Sequence, residues 1–467
     1  MLKQLRIQNF KGWKDTGTIR MAPISLVFGA NSSGKSSIGQ FLMMLKQTVE
    51  SSDRKAVFYP GGRNSAVQLG SYQEMVFHRD PKNKITFDYQ WTLSELLKFQ
   101  DPVTGRSFSG DVLSFHAEVG MEGGDQHTLA LDQLKYQLLE DKETMLTIGM
   151  ERKSGTRSEY KVDATDYTLK RKQGRVWYPG SPVRFYGFPD EVVAYHQNAD
   201  FVQSLNLHHE KLHRSICYLG PLRTKAERLY SWTGMEPESV GYAGENTVAA
   251  ILAARKRKIS LGNKRPAKPF EEIIALKLKE MGLIEEFNVK QISTQRHEYA
   301  VNVRAKGSCD WVDLPDVGFG ISQVLPVLVQ CFCAPPGSII IMEQPEIHLH
   351  PNAQSVLADV MIDVINSREN ASDRAIQLVI ETHSEHFLRR MQRRIAENVV
   401  PKENISAYFA NIAKTPATLE PLQIDIFGNI QNWPENFFGD EMGDIIEQGK
   451  AAMRMRMQNA EKPEVPA

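Results

Sequence analysis

The hydrophobic pattern of the N-terminal part of the chain predicts strands that lead into a tight loop and then a helix. Apolar residues alternate as far as Phe10, and after a turn an apolar run from 24 to 28 ends at Gly29. Beyond the loop, apolar residues recur at helical spacing at Ile38, Phe41, Leu42 and Leu45. A buried strand that runs into a glycine loop and an amphipathic helix is the expected structure.

From about residue 84 to residue 178 the hydrophobic period changes to two, which predicts an antiparallel, β-rich insertion. The pattern is clearest in the segments 85–91, 113–119 and 134–138. Helical spacing returns before Cys217 and between Phe270 and Met281, and a further strand is expected from Tyr299 to Val303. The middle of the chain is therefore predicted to contain both strands and helices.

After Gly318 the pattern is helix, strand, helix, strand, with apolar runs at 339–342 and 378–380. This alternation is typical of a mostly parallel sheet covered by helices, so we predict an α/β fold split in sequence by the insertion. We expect the two parts of the α/β fold at 1–80 and 301–420. The insertion, β-rich and then helical, is expected at 81–300, and a small C-terminal element with a polar tail at 421–467.

Composition sets few limits on function. The 467 residues carry 56 basic and 56 acidic side chains, so no global charge points to nucleic acid or to a membrane surface. Four cysteines in a chain of this length do not indicate a disulfide framework. The charged N-terminus does not resemble a signal peptide, and no apolar stretch approaches the ~18 residues of a membrane span. We therefore expect a cytoplasmic protein without membrane contact.

The loop after the first buried strand satisfies the pattern G-x-x-x-x-G-K-[ST], which predicts a phosphate-binding P-loop. Glycines let backbone N–H groups converge on phosphate oxygens, Lys35 neutralises phosphate charge, and the Ser36 hydroxyl can ligate Mg²⁺. The flanking strand and helix argue against a chance match. The predicted ATP contacts are Gly29, Asn31, Ser32, Ser33, Gly34, Lys35, Ser36 and Ser37.

An acidic strand end follows the second apolar run, in the order Glu343-Gln344-Pro345-Glu346. It resembles a Walker B strand, and Glu343 is predicted to bind Mg²⁺ together with Ser36. Gln344 stands where most ATPases of the ABC type have a glutamate that polarises water, and an amide cannot accept a proton. Glu346 is the nearest replacement base, and Glu343 is the alternative. Slow hydrolysis, hydrolysis through Glu346 and an ATP-gated switch all stay open.

A glycine turn, Gly318-Phe-Gly320-Ile-Ser322, precedes the helix before that strand. Alone it predicts an ordinary turn capped by Ser322, with Pro326 in the first helical turn. Between a P-loop and an acidic strand end, it resembles instead the signature loop of ABC-type ATPases. That resemblance implies that Gly320 and Ser322 contact the γ-phosphate bound to an opposing copy.

His383 follows the strand at 378–380, where ABC-type ATPases place a switch histidine that contacts the γ-phosphate. Metal binding by the neighbouring histidines, His348 and His350 or His386, is not favoured because their spacing is unlike that of zinc proteases. Gln73 is either a glutamine that senses Mg²⁺ or water, or a surface residue.

Two further segments have open roles. The stretch 255–268 is the densest basic segment, and it is either a possible nucleic-acid contact or a solvated helix end. Arg223 follows the apolar residues Tyr218-Leu219. It is expected either at a strand end near the nucleotide or in contacts that pin the insertion to the rest of the fold.

Taken together, the motifs resemble bacterial ABC-type ATPases related to OLD proteins and to RecF and SMC heads. The matching phrases are LRIQNFKGWKD, GANSSGKSS, VGFGISQVLP, MEQPEIHLHP and ETHSEHF, and the ending IDIFGNIQNWPENFF is similar to a small element of one branch. The resemblance implies an ABC-type ATPase head and homo-oligomers that clamp ATP in composite sites.

The same resemblance extends to ATPase subunits of the PARIS and Septu anti-phage systems, which act beside a separate effector, often a nuclease. It implies a sensor or regulator of such a partner. The alternative is a nucleic-acid-binding DNA repair ATPase of the RecF or SMC kind, whereas a transporter ATPase fits the large insertion poorly.

Overall fold

A computed structural model of the chain describes residues 1–122, 128–153, 159–174, 178–293, 296–411, 416–434, 437 and 441–460. The strands are β1 (Leu2–Phe10), β2 (Trp13–Asp15), β3 (Ile19–Arg20), β4 (Ile24–Gly29), β5 (Ile85–Gln100), β6 (Ser107–Met121), β7 (Leu129–Glu140), β8 (Glu143–Arg152), β9 (Tyr160–Thr165), β10 (Ile216–Leu219), β11 (Tyr230–Ser231), β12 (Lys258–Ser260), β13 (Lys268–Pro269), β14 (Glu286–Ser293), β15 (Arg296–Arg304), β16 (Trp311–Asp313), β17 (Ile339–Glu343), β18 (Arg368–Glu369), β19 (Ser372–Asp373), β20 (Gln377–Glu381), β21 (Ile405–Asn411) and β22 (Thr418–Pro421).

The α-helices are α1 (Lys35–Glu50), α2 (Tyr72–Met75), α3 (Asp190–Tyr195), α4 (Phe201–Arg214), α5 (Thr247–Ala253), α6 (Phe270–Glu280), α7 (Phe319–Cys333), α8 (Pro351–Ile365), α9 (Glu385–Ala396) and α10 (Glu441–Ala460). None of the helices within the described ranges is long and apolar enough to cross a membrane.

A parallel sheet forms the centre of the fold, in the order β10-β17-β20-β4-β21-β22. Its first five strands are parallel, and β22 is antiparallel to β21. Because side chains alternate along a strand, Ile340 and Met342 of β17 enter one hydrophobic core while Ile339 and Ile341 enter the other. Both faces are thus covered, and the strands predicted at 339–342 and 378–380 are confirmed as β17 and β20.

The β-rich segment forms a second, antiparallel sheet in the order β2-β1-β5-β6-β7-β8-β9, with β3 also paired to β1. The alternation predicted in the segments 85–91, 113–119 and 134–138 is confirmed in β5, β6 and β7. The N-terminal strand β1 pairs with β5, and β10 pairs with β17. The proposed boundaries at 80 and 300 therefore do not separate the two sheets.

Helices fill the space around the parallel sheet. Residues of α1 and α4 pack between the two sheets, and residues of α5 to α9 cover the other face of the parallel sheet. The helices expected before Cys217 and from 270 are confirmed as α4 and α6. Two small four-stranded sheets, β11-β15-β14 with β16 and β13-β12-β18-β19, complete the middle of the chain.

The C-terminal element packs along α9 and against β4 and β21. The amide of Gln392 in α9 donates to the carbonyl oxygen of Gly428 at 2.8 Å. The ring of Phe437 lies 5.3 Å from that of Phe28 and 5.0 Å from that of Phe409. Helix α10 ends at Ala460, and the last seven residues of the predicted polar tail, 461–467, lie outside the described residues.

Candidate nucleotide-binding site

The loop between β4 and α1 is tightly curled, because its glycines adopt backbone angles that other residues avoid. Gly29 has a φ of 146° and Gly34 a φ of 86°, and the exposed Ser32 at the tip also has a positive φ, of 62°. A Cβ atom on Gly29 would stand 2.7 Å from the carbonyl oxygen of Ala410, so a side chain here would displace β21. A curled backbone of this kind lets successive N–H groups converge on an anion.

Trp13 supports this loop from beneath, although it lies outside the P-loop sequence. Its indole Nε1 donates to the carbonyl oxygen of Gly34 at 3.1 Å and to Oγ of Ser37 at 2.9 Å. The Ser37 hydroxyl in turn donates to the Gly34 carbonyl. Ser33 is also buried, whereas Asn31 is exposed. Ser37 therefore braces the loop from within, while the loop tip faces solvent.

Lys35 begins α1 and lies between the loop and an acidic residue. Its Nζ donates to the carbonyl oxygen of Ala30 at 2.7 Å and lies 3.9 Å from Oε1 of Glu381. Burial lowers the pKa of Lys35, and the carboxylates of Glu381 and Glu343 oppose that shift. The ammonium group is thus held beside the curled loop, where a phosphate would receive its charge.

Two neighbouring strand ends place two carboxyl groups together. Glu343 ends β17 and Glu381 ends β20, and these residues are partners in the parallel register. Burial, followed by the charge of Glu381, raises the pKa of Glu343 to about 7, although the Tyr218 hydroxyl donates to its Oε1 at 2.8 Å. Burial likewise raises the pKa of Glu381, and a hydrogen bond from Ser36 lowers both pKa values. Glu381 was not among the predicted site residues.

These oxygen groups fit a hard divalent cation. Ser36 and Glu343, the predicted Mg²⁺ ligands, lie within hydrogen-bonding reach of each other. Carboxylate and hydroxyl oxygens are the donors that Mg²⁺ prefers. The Oε2 atom of Glu381 is buried and has no hydrogen-bond partner among the described residues. A cation would satisfy this orphaned oxygen and reduce the repulsion between the carboxylates.

Glu346 lies in the turn after β17 and contacts the segment that follows β20. Its side chain is buried, and Oε1 accepts hydrogen bonds from the Thr382 hydroxyl at 2.7 Å and from the backbone N–H of His383 at 2.9 Å. Its Oε2 has no partner in the described part of the chain. Burial raises the pKa of Glu346. Gln344, half-buried with a φ of 46°, donates its N–H to the Glu381 carbonyl at 2.8 Å.

His383 is half-buried, and burial followed by the nearby charge of Lys35 lowers its pKa. The imidazole is therefore neutral near pH 7 and can donate one hydrogen bond and accept another. The residues that the sequence suggests for catalysis, Glu343, Glu346 and His383, thus meet at adjacent strand ends beside Lys35. Their chemical roles remain proposals.

The signature-like turn differs from the sequence expectation in two ways. Helix α7 begins at Phe319 after an N-cap at Gly318 that provides no side-chain cap, so the interpretation of Ser322 as a capping residue is wrong. Ser322 lies within the first turn and donates to the Phe319 carbonyl at 2.8 Å. Pro326 lies inside the helix rather than in its first turn, because the helix begins at the glycines. It therefore supplies no N–H to the Ser322 carbonyl.

The same turn packs on the loop that carries Glu346. A Cβ atom on Gly320 would lie 3.0 Å from the His348 carbonyl oxygen, and the rings of Phe319 and His348 are 4.8 Å apart. Ser322 lines a cleft of about 100 Å³ and, among the described residues, makes no hydrogen bond to the P-loop. The cleft that Ser322 lines includes no residue of the phosphate-binding loop.

Arg223 links the signature-like turn to the acidic strand end. It is buried beyond β10, and its guanidinium donates to the carbonyl oxygens of Gln323, Glu343 and Gln344, each at 3.2 Å. Burial lowers the pKa of Arg223 to about 10, so the group stays charged at neutral pH. Of the alternatives left by the sequence, the structure places Arg223 at a strand end near the site.

The remaining candidates lie elsewhere on the surface. Gln73 is exposed on the short helix α2, and its sensing role stays a prediction. The arginines of the stretch 255–268 are engaged in ion pairs, which are Arg255 with Glu271 at 3.1 Å, Arg257 with Glu369 at 2.7 Å and Arg265 with Asp363 at 3.3 Å. Part of the positive charge of this segment is therefore balanced within the chain.

The fold and this site are those of a P-loop ATPase. The chain belongs to the AAA ATPase domain family, whose model matches residues 1–173 and 255–388, more than half of its length, and it is an ATP-binding ATPase. A second model, described as a protein of unknown function (DUF3696), matches residues 400–448, which include the C-terminal element. No curated protein matches the chain in sequence.

Solved structures of SMC heads are distantly similar. An SMC head bound to the C-winged helix domain of ScpA is 12% identical, with 91% of this chain and 98% of that chain covered and a TM-score of 0.41. The SMC head from Thermotoga maritima is 10% identical, with 91% and 99% covered and a TM-score of 0.39. An SMC head with an extended coiled coil, bound to the C-terminal domain of ScpA derived from Pyrococcus furiosus, is 9% identical, with 96% and 99% covered and a TM-score of 0.42.

Proposed function

We propose that this ATPase binds ATP and Mg²⁺ between two copies of the chain, and that the resulting assembly regulates a separate effector in bacterial anti-phage defence. The observation that carries the composite site is that Ser322 lines a cleft without P-loop residues and, among the described residues, makes no hydrogen bond to the P-loop of its own copy. Exposed apolar side chains flank the start of α7, since Phe319 is 49% exposed and Leu222, beside Arg223, is 84% exposed. A second copy would cover these side chains and bring Ser322 to its γ-phosphate.

Within one copy, the P-loop and Lys35 would hold the phosphates, and Ser36 with Glu343 would hold Mg²⁺. Magnesium would reduce the charge on the phosphates and polarise the γ-phosphoryl group. Glu346 orients and deprotonates the attacking water, with its unpartnered Oε2 as the acceptor. His383 donates a hydrogen bond to the γ-phosphate. Because Gln344 cannot act as a base, we expect slow turnover that suits a switch more than a motor.

The regulatory role in the cytoplasm rests on the resemblance to the PARIS and Septu ATPase subunits. A feature of the C-terminal element supports it, since Ile426 is 62% exposed and Phe427 is 67% exposed at the tip of a tight turn. Asp425 fixes this turn by accepting hydrogen bonds from the N–H groups of Phe427 and Asn429, each at 2.8 Å. A rigid apolar tip of this kind suits contact with a partner protein, such as the nuclease of those systems.

A DNA repair ATPase of the RecF or SMC kind is the alternative function. Its local support in the sequence was the basic stretch 255–268, whose arginines are paired with carboxylates of the same chain. An arginine that is already paired gains less from a nucleic-acid phosphate than a free one. The regulator is therefore the function that we favour.

Sedimentation of the purified chain tests the proposed assembly. With Mg²⁺ and a non-hydrolysable ATP analogue, the parent should form dimers or larger assemblies, and Ser322→Arg should stay monomeric while it still binds the analogue. Lys35→Ala should fold but lose nucleotide affinity. A parent that binds ATP and remains monomeric at every protein concentration would exclude the composite site.

A further inference from the structure

Glu381 is the group at the site that no motif explains. It ends β20, directly beside Glu343 in the register, and its side chain is only 10% exposed. One carboxylate oxygen lies 3.9 Å from Nζ of Lys35, and the other is buried without a hydrogen-bond partner among the described residues. A buried carboxylate oxygen without a partner costs stability, so its retention points to a ligand.

The charges around Glu381 change when a nucleotide binds. Without phosphates, Lys35 is the cation that faces Glu381. On the proposed function, on which this inference rests, Lys35 turns toward the β- and γ-phosphates. Glu381 would then lie beside Glu343 and near the phosphates without the ammonium group at 3.9 Å, while the charge of Lys11 acts on Glu343. Like charges in a dry site require a counter-ion.

We propose that Glu381 is a second carboxylate ligand of the divalent cation, which it binds together with Glu343 and Ser36. Ser36 is close enough to both carboxyl groups to lower their pKa values by hydrogen bonding, and Glu343 and Glu381 are partners in the strand register, so the three residues lie together at the start of α1. Oxygen donors from two carboxylates and one hydroxyl suit Mg²⁺ or Mn²⁺. In this arrangement the metal replaces Lys35 as the partner of Glu381, and metal binding and ATP binding reinforce each other.

Mn²⁺ binding measured by electron paramagnetic resonance tests this assignment without reliance on turnover. We expect Glu381→Gln to weaken Mn²⁺ binding in the presence of a non-hydrolysable ATP analogue by at least about tenfold. The same variant should bind metal-free ATP at least as tightly as the parent, because one negative charge has left the phosphate pocket. Glu285→Gln is the matched control, since it removes a carboxylate 3.0 Å from Lys279, away from the site.

Glu381→Asp keeps the charge on a shorter side chain and provides a second test should the glutamine variant fail to fold. Its Mn²⁺ affinity should lie below that of the parent, and above that of the glutamine variant where both fold. Unchanged Mn²⁺ affinity in folded Glu381 variants would overturn the assignment, including the case in which only the hydrolysis rate falls. A parent that binds no ATP would instead overturn the proposed function.

Discussion

Glu346 and His383 form a connected pair, because the backbone N–H of His383 donates to Oε1 of Glu346. Through this contact a buried carboxyl group lies beside the histidine that the sequence predicts to contact the γ-phosphate. The side chain of Gln344, two residues earlier, cannot take a proton from water. At the scale of single residues, the source of catalysis is therefore Glu346 in our proposal.

Glu346→Gln should abolish most turnover while ATP binding is preserved. A glutamine can still accept the hydrogen bonds from Thr382 and His383 through its amide oxygen, so the local structure should hold. Loss of a general base typically lowers the rate by about 10²–10⁴-fold. Single-turnover hydrolysis measures the effect, and Glu343→Gln serves for comparison because it should mainly weaken the Mg²⁺ dependence of ATP binding. Normal turnover in Glu346→Gln would assign the base to another residue.

Trp13→Phe should weaken the support of the P-loop without leaving a large cavity in the core beneath it. The variant keeps an aromatic ring but loses the donor to the Gly34 carbonyl and to Ser37. A buried hydrogen bond of this kind contributes about 1 kcal/mol, which corresponds to roughly a fivefold loss of ATP affinity if the contact acts on the loop. Calorimetric titration with an ATP analogue measures it. A fall in thermal stability with unchanged affinity would limit Trp13 to a packing role.

How far the sequence predicts the site depends on whether a residue acts through a local motif. The P-loop, Glu343, Glu346 and His383 are found because each follows a strand in the expected order. Glu381 carries the same signal, since it is the last residue of a buried strand, but the motif that covers this strand end assigns a role only to His383. Trp13 has no such signal, because its contact to Gly34 depends on how distant segments fold together.

At the scale of elements, the antiparallel sheet and α4 share a buried polar chain. Nε2 of His209 lies 2.7 Å from the Tyr89 hydroxyl, and Nδ1 lies 2.7 Å from the Tyr136 hydroxyl. His213 stacks on His209 at 4.7 Å and is fully buried beside it. Burial lowers the pKa of both histidines, and that of His213 falls to about 4. Lys46 adds to the shift of His213.

This pair should make the fold sensitive to acid. In the unfolded chain His213 takes up a proton near pH 6.5, whereas in the folded chain it stays neutral down to about pH 4. The unfolded state therefore binds more protons over this interval, and stability falls as the pH decreases. His213→Leu should remove up to about 3 kcal/mol of that loss.

Urea unfolding between pH 7 and pH 4 measures the difference, with His297→Leu at an exposed position as the control. A parent and a His213→Leu variant with parallel pH profiles would contradict the prediction.

Among the elements, strands and helices with strong periodicity were predictable from the sequence. The residue at which a helix begins and the partner with which a strand pairs were not. The sequence predicts α7, but Pro326 suggested a later start than Phe319. The proline is accommodated inside the helix, where its ring packs against the Gly244 position. Likewise, the sequence of β10 indicates only a short apolar segment within the predicted insertion. Its parallel pairing with β17 makes it part of the central sheet.

For the whole molecule, the central claim is that one active site needs two copies of the chain. In this proposal, Ser322 of one copy meets the nucleotide held by Lys35 of the other copy across a symmetric interface. The balanced charge of the chain provides no long-range repulsion between copies. ATP with its cation is then the main contact that holds the two surfaces together.

Mixing two inactive variants tests this claim most directly. Lys35→Ala removes the phosphate contact and Ser322→Arg blocks the signature turn, so each variant alone should hydrolyse almost no ATP. In a mixed dimer, the intact P-loop of one copy faces the intact Ser322 of the other and restores one of the two sites. At equal concentrations the mixture should recover hydrolysis that neither variant shows alone, up to about a quarter of the parent rate, which is the value for random pairing with one intact site in each mixed dimer. If the mixture stays as inactive as its components although mixed dimers form, the composite site is contradicted.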